Sequence, residues 1–217
     1  MKLLHATLCA AVALCTPAAI FAQAPTDLES ASKLAPDGQN DSWTYKDPEV
    51  ALSKYQSFLI QPTVVYADPA AQWGSTTPEQ RQKYAEYMTR ALSNAIAAGY
   101  KIADRPGPGV ATMRLTLLGV QNTVGGVATV SRMTPIGFAL NGIQSLRGKK
   151  GSMTGSVHAA LEVTDSRSGD LLFAAVRQKS PNALDIKSTL STEKTVEAVA
   201  DDIAHSVKKG LDNANDR

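Results

Sequence analysis

Hydrophobic and polar positions alternate with two different periods along this chain, and the change of period divides it into elements. From Tyr55 to Tyr66 the run YQSFLIQPTVVY is dense in β-branched and aromatic residues, which suit a pleated surface and predict a strand. Pro62 has no N–H to donate, so the strand is expected to bulge there or to have an unpaired edge beyond it. Ala111–Val120 alternates, with Met113, Leu115 and Leu117 on one face and Arg114 and Thr116 on the other. Ser156–Thr164 does the same: Val157, Ala159, Leu161 and Val163 point one way, and Ser156, His158, Ala160 and Glu162 the other. Leu171–Gln178 follows the connector Asp165–Asp170, so the two runs predict a hairpin. Tyr100–Asp104 reads as a short strand, stopped by the rigid turn Arg105–Gly109.

Two segments carry the helical period instead. Thr77 can cap a helix, Pro78 suits its first position, and Gln80 completes a capping-box spacing. Tyr84, Met88, Ala91, Leu92, Ala95 and Ile96 then fall on one face, and Gly99 stands where a C′ glycine belongs. A second helix is predicted over about Glu193–Lys209, capped by Ser191 or Thr192, with a stripe of Val196, Val199, Ala200, Ile203, Val207 and Leu211. The sum is an α/β two-layer sandwich: a mixed sheet of about five strands, two main helices on it, and a free sheet face partly open.

Between the strands lies an insertion that fits neither period. Gly119–Gly155 holds eight of the chain's fifteen glycines together with apolar residues such as Val130, Ile136, Phe138, Leu140 and Ile143. Two readings stand side by side: a flap that folds over the open sheet and completes the core, or a sticky surface for a partner. Arg132, Arg147, Lys149 and Lys150 flank it as candidate contacts for an anionic group.

The N-terminal residues follow another logic. Lys2, the apolar run Leu8–Leu14, Pro17 and the small residues up to Ala24 have the order of a secretory signal peptide, with cleavage expected after Ala22. Cys15 follows Leu14, where a lipid-attachment signal has a small residue, so free export to the periplasm or beyond is favoured over a lipid anchor. Residues 23–42 read as a flexible leader, residues 43–211 as one domain, and residues 212–217 as a frayed tail. Both cysteines, Cys9 and Cys15, fall in the signal, so the exported chain is expected to hold no disulfide and no thiolate metal site. The formal charge of the 217 residues is +2, with 22 Lys+Arg against 20 Asp+Glu, too balanced for a nucleic-acid footprint.

Candidate chemistry is sparse. No H-E-x-x-H, no G-x-S-x-G and, after export, no cysteine nucleophile is present. The Arg105–Gly109 turn contains prolines that remove the amide donors a phosphate cradle needs. His158 shares a strand face with Glu162, but two residues do not make a metal site, and both read as solvated strand polars; His205 lies away from its helix's apolar stripe. No catalytic residue, metal or cofactor is assigned. The candidate binding residues are Trp73, Arg114, Arg132, Phe138 and His158.

The strand YQSFLIQPTVVY, the helix TPEQRQKYAEYMTRALSNAI, the segment VATMRLTLLGVQNT and the hairpin GSVHAALEVTDSRSGDLLFAAV resemble an uncharacterised domain-of-unknown-function family of secreted bacterial proteins, many of them lipoproteins. The turn Asp165–Gly169 is similar to that of envelope lipoproteins such as the curli secretion and penicillin-binding-protein activator groups. The resemblance implies an envelope location and a protein-binding or assembly role, and brings no catalytic residues with it. The expectation is a non-catalytic envelope module that contacts an envelope protein or a second copy of itself through an open sheet edge and the 119–155 flap, touching but not spanning a membrane. The alternative is a small-ligand carrier or hydrolase with a pocket beneath the flap.

Overall fold

The computed structural model describes residues 28–37, 42–67, 71, 73–121, 155–180 and 191–216. Among the described residues eight strands form one mixed sheet: β1 (Ala35–Pro36), β2 (Ser42–Lys46), β3 (Ser57–Ile60), β4 (Val64–Val65), β5 (Lys101–Ile102), β6 (Val110–Gln121), β7 (Ser156–Asp165) and β8 (Leu171–Lys179). Their order is β1-β2-β8-β7-β6-β3-β5, with β4 also on β6. β3 and β4 run parallel to β6, β3 runs parallel to β5, and the remaining pairings are antiparallel. The count exceeds the expected five for two reasons. Pro62 splits the Tyr55–Tyr66 run into β3 and β4, and two strands, β1 and β2, come from residues before the first periodic run.

Among the described residues two α-helices cover one face: α1 (Pro78–Ala97) and α2 (Thr192–Asn215), packed against each other. Thr77 and Gln80 form the expected capping box, and Ser191 caps α2. Gly99 takes its place after α1 without a positive φ; the amides of Gly99 and Tyr100 both bond to the Ile96 carbonyl and end the helix. Lys179 reaches Asp202 of α2 at 2.8 Å, which fixes the Lys179/Val157 side of the hairpin as the helix side. By strand alternation Ala159, Leu161 and Val163, with their partners Leu117, Leu115 and Met113, share that side, and all are buried. These side chains and the apolar stripes of α1 and α2 make the core.

Both expected loose ends are built into the fold. Leu28–Asp37 carries a one-turn 3-10 helix (Ala31–Lys33) and β1, with Leu28 and Leu34 buried. At the other end α2 runs past Lys209 to Asn215; Asp212 accepts from the Tyr100 hydroxyl at 3.0 Å, and Asn215 donates to that hydroxyl at 2.9 Å. Local composition could not show either, because key anchors lie far off in sequence: Glu162 is 132 residues from Ser30, and Tyr100 is 112 from Asp212 and 115 from Asn215. Of the Gly119–Gly155 insertion, Gly119–Gln121 complete β6 and Gly155 leads into β7; residues 122–154 lie outside the described residues, as does the signal-like segment.

Candidate functional site

The face turned away from the helices is built in rows across the strands. One row reads Tyr45, Ala174, Glu162, Arg114, the next Trp43, Val176, Ala160, Thr116, and a third Gln178, His158, Gly119. Rows lie two residues apart along each strand, about 7 Å, except on β6, where a bulge between Leu117 and Gly119 makes the last step three residues. The middle of the face is therefore lined by small side chains, with aromatic rings on β2 at one side.

In the first row the β6/β7 register sets Arg114 directly opposite Glu162. Arg114 Nη2 lies 2.7 Å from Glu162 Oε2 and 3.1 Å from Glu29 Oε1. The Ser30 amide donates to the other Glu162 oxygen at 2.9 Å. Glu162 is only 3% exposed, against the expectation of a solvated strand polar. Burial pulls the Arg114 pKa down, but the hydrogen bond and charge of Glu162 outweigh it and hold the guanidinium protonated. Every charge here is committed to a partner, which leaves no free acid or base.

His158 occupies the third row, with Gln178 on one side and Gly119 on the other. Beside it Gln178 donates to the Ser156 hydroxyl at 3.1 Å, which donates to Gln121 at 3.0 Å. His158 is largely enclosed rather than solvated; burial lowers its pKa to about 4, so the ring is neutral. Among the described residues its Nε2 is buried with no hydrogen-bond partner, as are Ser30 Oγ, Trp43 Nε1 and Arg114 Nε. Three of these residues stand in the rows and Ser30 sits against Glu162, so all four orphaned atoms belong to this one face.

The other expected site residues fall elsewhere. Trp73 is buried at the start of α1, where its carbonyl accepts from the Thr76 amide and hydroxyl and Arg81 stacks 4.8 Å from its ring centroid. Its contacts, with Thr76 and Arg81, serve the helix start. Arg132 and Phe138 lie outside the described residues. The expectations missed Glu162, Glu29 and Trp43. The first was legible in principle, since two alternating strands in a hairpin-like pairing set an Arg and a Glu on the same face.

A separate groove of about 310 Å³ opens at the β7–β8 turn, with Lys33, Asp47, Glu49, Tyr55, Asp165 and Asp170 on its walls. The Tyr55 hydroxyl donates to Asp165 at 2.9 Å; burial first, and Asp165 next, push the phenol up to about 12. The amides of Ser168 and Arg167 hold the Asp165 carboxyl low. Among the described residues no group of three or more His, Cys, Asp or Glu is placed to hold a metal, and no helix is long and apolar enough to cross a membrane.

Residues 25–207 match the family model described as a protein of unknown function, DUF3313. The chain belongs to this family. The match runs from before Leu28 through most of α2, so the rows above lie within the matched region. Solved structures similar to this DUF3313 member include the PelC dodecamer from Paraburkholderia phytofirmans, at 12% identity and a TM-score of 0.40, covering 78% of this chain and 95% of that one. A lipoprotein from Neisseria meningitidis is similar at 14% identity and 0.32, covering 70% and 99%. A DUF4136 family protein from Bacteroides thetaiotaomicron is similar at 13% and 0.34, covering 76% and 96%. No curated protein matches the chain.

Proposed function

We propose that this DUF3313 member is a non-catalytic exported protein of the cell envelope that binds a protein partner on the sheet face away from its helices. The observation that carries the reading is the gathering, among the described residues, of four buried, unpartnered polar atoms on that one face. Each such atom costs about 1–3 kcal/mol relative to a bonded one, so a partner that displaces what covers them and supplies donors and acceptors recovers that cost. The export half of the reading rests on the signal-like order of Lys2, Leu8–Leu14 and the small residues after Pro17.

The face is a better candidate than the sheet edge. Both edges end in two-residue strands, β1 with Pro36 and β5, which offer little ladder for an added strand. The test is affinity capture from envelope extract with the exported chain, a His158→Ala, Gln178→Ala variant, and a chain lacking residues 123–151, each verified as folded by circular dichroism. A partner retained by the first and lost from the double variant supports the reading. Equal capture by all three removes it.

A further inference from the structure

Leu28–Asp37 lies on this face as a strap, and its contacts are those a bound peptide would make. Glu29 pairs with Arg114, the Ser30 amide bonds to Glu162, and Lys33 sits 5.1 Å over the Tyr45 ring, so the strap follows the first row from β6 to β2. β1 then adds to the outer side of β2, with Ala35 opposite Thr44 and Pro36 opposite Trp43. Asp37 accepts from the Ser42 and Thr44 hydroxyls at 2.7 and 3.1 Å and meets Arg177 at 2.8 Å. Leu28 and Leu34 are buried in the core cluster. The strap joins the body at one end of the described chain, with only residues 38–41 between it and β2.

The seal is imperfect. Ser30 Oγ and Arg114 Nε are buried in it without partners, and Glu29 keeps 68% of its side chain in water, where its ion pair is weak. These features lower the cost of lifting the strap from the sheet. The segment whose complementarity to the vacated face is demonstrated is this same strap, which every copy of the chain carries.

We propose that the strap is exchangeable: it lifts from its own sheet, and the face takes the strap of a second copy, so that two chains pair reciprocally. Every contact named above is then remade between chains, and the pair has the self-complementary character of a two-fold interface. The inference stands apart from the envelope reading, since it needs no other partner.

The test uses a disulfide that holds the strap shut. Ala35 and Thr44 are opposed across an antiparallel pair, at a separation a disulfide can span. Ala35→Cys and Thr44→Cys are introduced into the full chain with Cys9→Ser and Cys15→Ser, and a fluorescein-labelled peptide of the sequence LESASKLAPD, that of Leu28–Asp37, is titrated by anisotropy against a scrambled control. The reduced protein is expected to bind the peptide, the oxidised protein to bind at least about tenfold more weakly, and reductant to restore binding. Leu28→Ala with Leu34→Ala in the protein's own strap is expected to raise the apparent affinity about tenfold, because apparent affinity scales with the open fraction. Closed by oxidation while dilute and monomeric, the protein is expected to stay a monomer when concentrated; kept reduced, it is expected to give a concentration-dependent dimer in sedimentation, which oxidation then locks through a disulfide between position 35 of one chain and position 44 of the other. Peptide binding that ignores the staple, no binding even with the loosened strap, a dimer formed by protein already stapled within one chain, or a monomer at every concentration when reduced would each overturn exchange.

Discussion

Replacing Glu162 with Ala is expected to be among the costliest single changes on the sheet face away from the helices. The side chain is 3% exposed, pairs with Arg114 at 2.7 Å and accepts the Ser30 amide at 2.9 Å. Its removal leaves a guanidinium that is 22% exposed with one remaining partner, Glu29, at 3.1 Å. Breaking a fully buried pair costs about 3–5 kcal/mol, and Arg114's partial access to water and second carboxylate reduce that to about 2 kcal/mol. The orphaned Ser30 amide adds about 1 kcal/mol. A total near 3 kcal/mol in a domain of this size lowers the melting point by about 6–12 °C. Glu162→Gln keeps an oxygen for Ser30 and loses only the charge, so its cost should be roughly half as large. Arg114→Met combined with Glu162→Leu replaces both charges and should cost less than Glu162→Ala alone. Urea unfolding followed by circular dichroism measures all three. A Glu162→Ala midpoint within about 0.5 kcal/mol of the parent, the range of an ordinary surface change, would refute the reasoning.

Three further outcomes follow from the same geometry. The pKa of His158 is about 4 when folded and 6.5 when unfolded, so the unfolded chain takes up the proton first. Stability is then full above pH 6.5 and falls by up to about 3 kcal/mol as the pH drops toward 4, and His158→Gln should flatten that part of a urea-midpoint profile. Tyr55, at about 12 when folded against 10.0 unfolded, keeps its proton while the unfolded chain loses it, so stability should decline as pH rises from 10 toward 12. Tyr55→Phe should lessen that decline and remove one phenol's share of the phenolate absorbance, the rest coming from tyrosines such as Tyr84 and Tyr100 that burial also holds high, while costing about 1 kcal/mol at neutral pH. Gly169 sits at φ +80 with open space where a Cβ would go, so Gly169→Ala should cost about 1–2 kcal/mol from backbone strain alone, and a neutral result by thermal melting would contradict it.

The helix side of this fold was legible because its signals are local. Thr77, Pro78 and Gln80 lie within four residues of one another, and the stripes of α1 and α2 repeat every turn. The alternation of β6 and β7 likewise separated the helix-side residues from Arg114, His158 and Glu162. What alternation does not carry is the state of the second face, because a polar residue on a strand looks the same whether water or another segment covers it. Glu162 is buried by residues 132 positions away, and Ser30 precedes every periodic run in the chain. β1 and β2 were missed for a related cause: two and five residues are too short for a period, and their pairing with one another and with β8 decides them. Tyr100 and Asn215 show the same at the C-terminus, where a segment of high local polarity is held by one distant phenol.

The two sides of the sheet also differ in what holds them. The helix side uses aliphatic packing, which tolerates any neighbour of suitable shape. The strap side spends stability on a buried pair and on unpartnered atoms, although apolar residues at positions 114 and 162 would pack at no greater cost. The return on that cost is selection, because Arg114 favours a segment with a carboxylate at the position of Glu29, and Glu162 favours one with a free amide beside it. The Arg114→Met, Glu162→Leu protein separates the two roles: it should fold with little loss yet distinguish the LESASKLAPD peptide from a version with Glu29→Lys far less than the parent does. If discrimination survives the loss of both charges, the pair is ballast for the fold, and the choice of segment rests on the leucines and the β1 pairing instead.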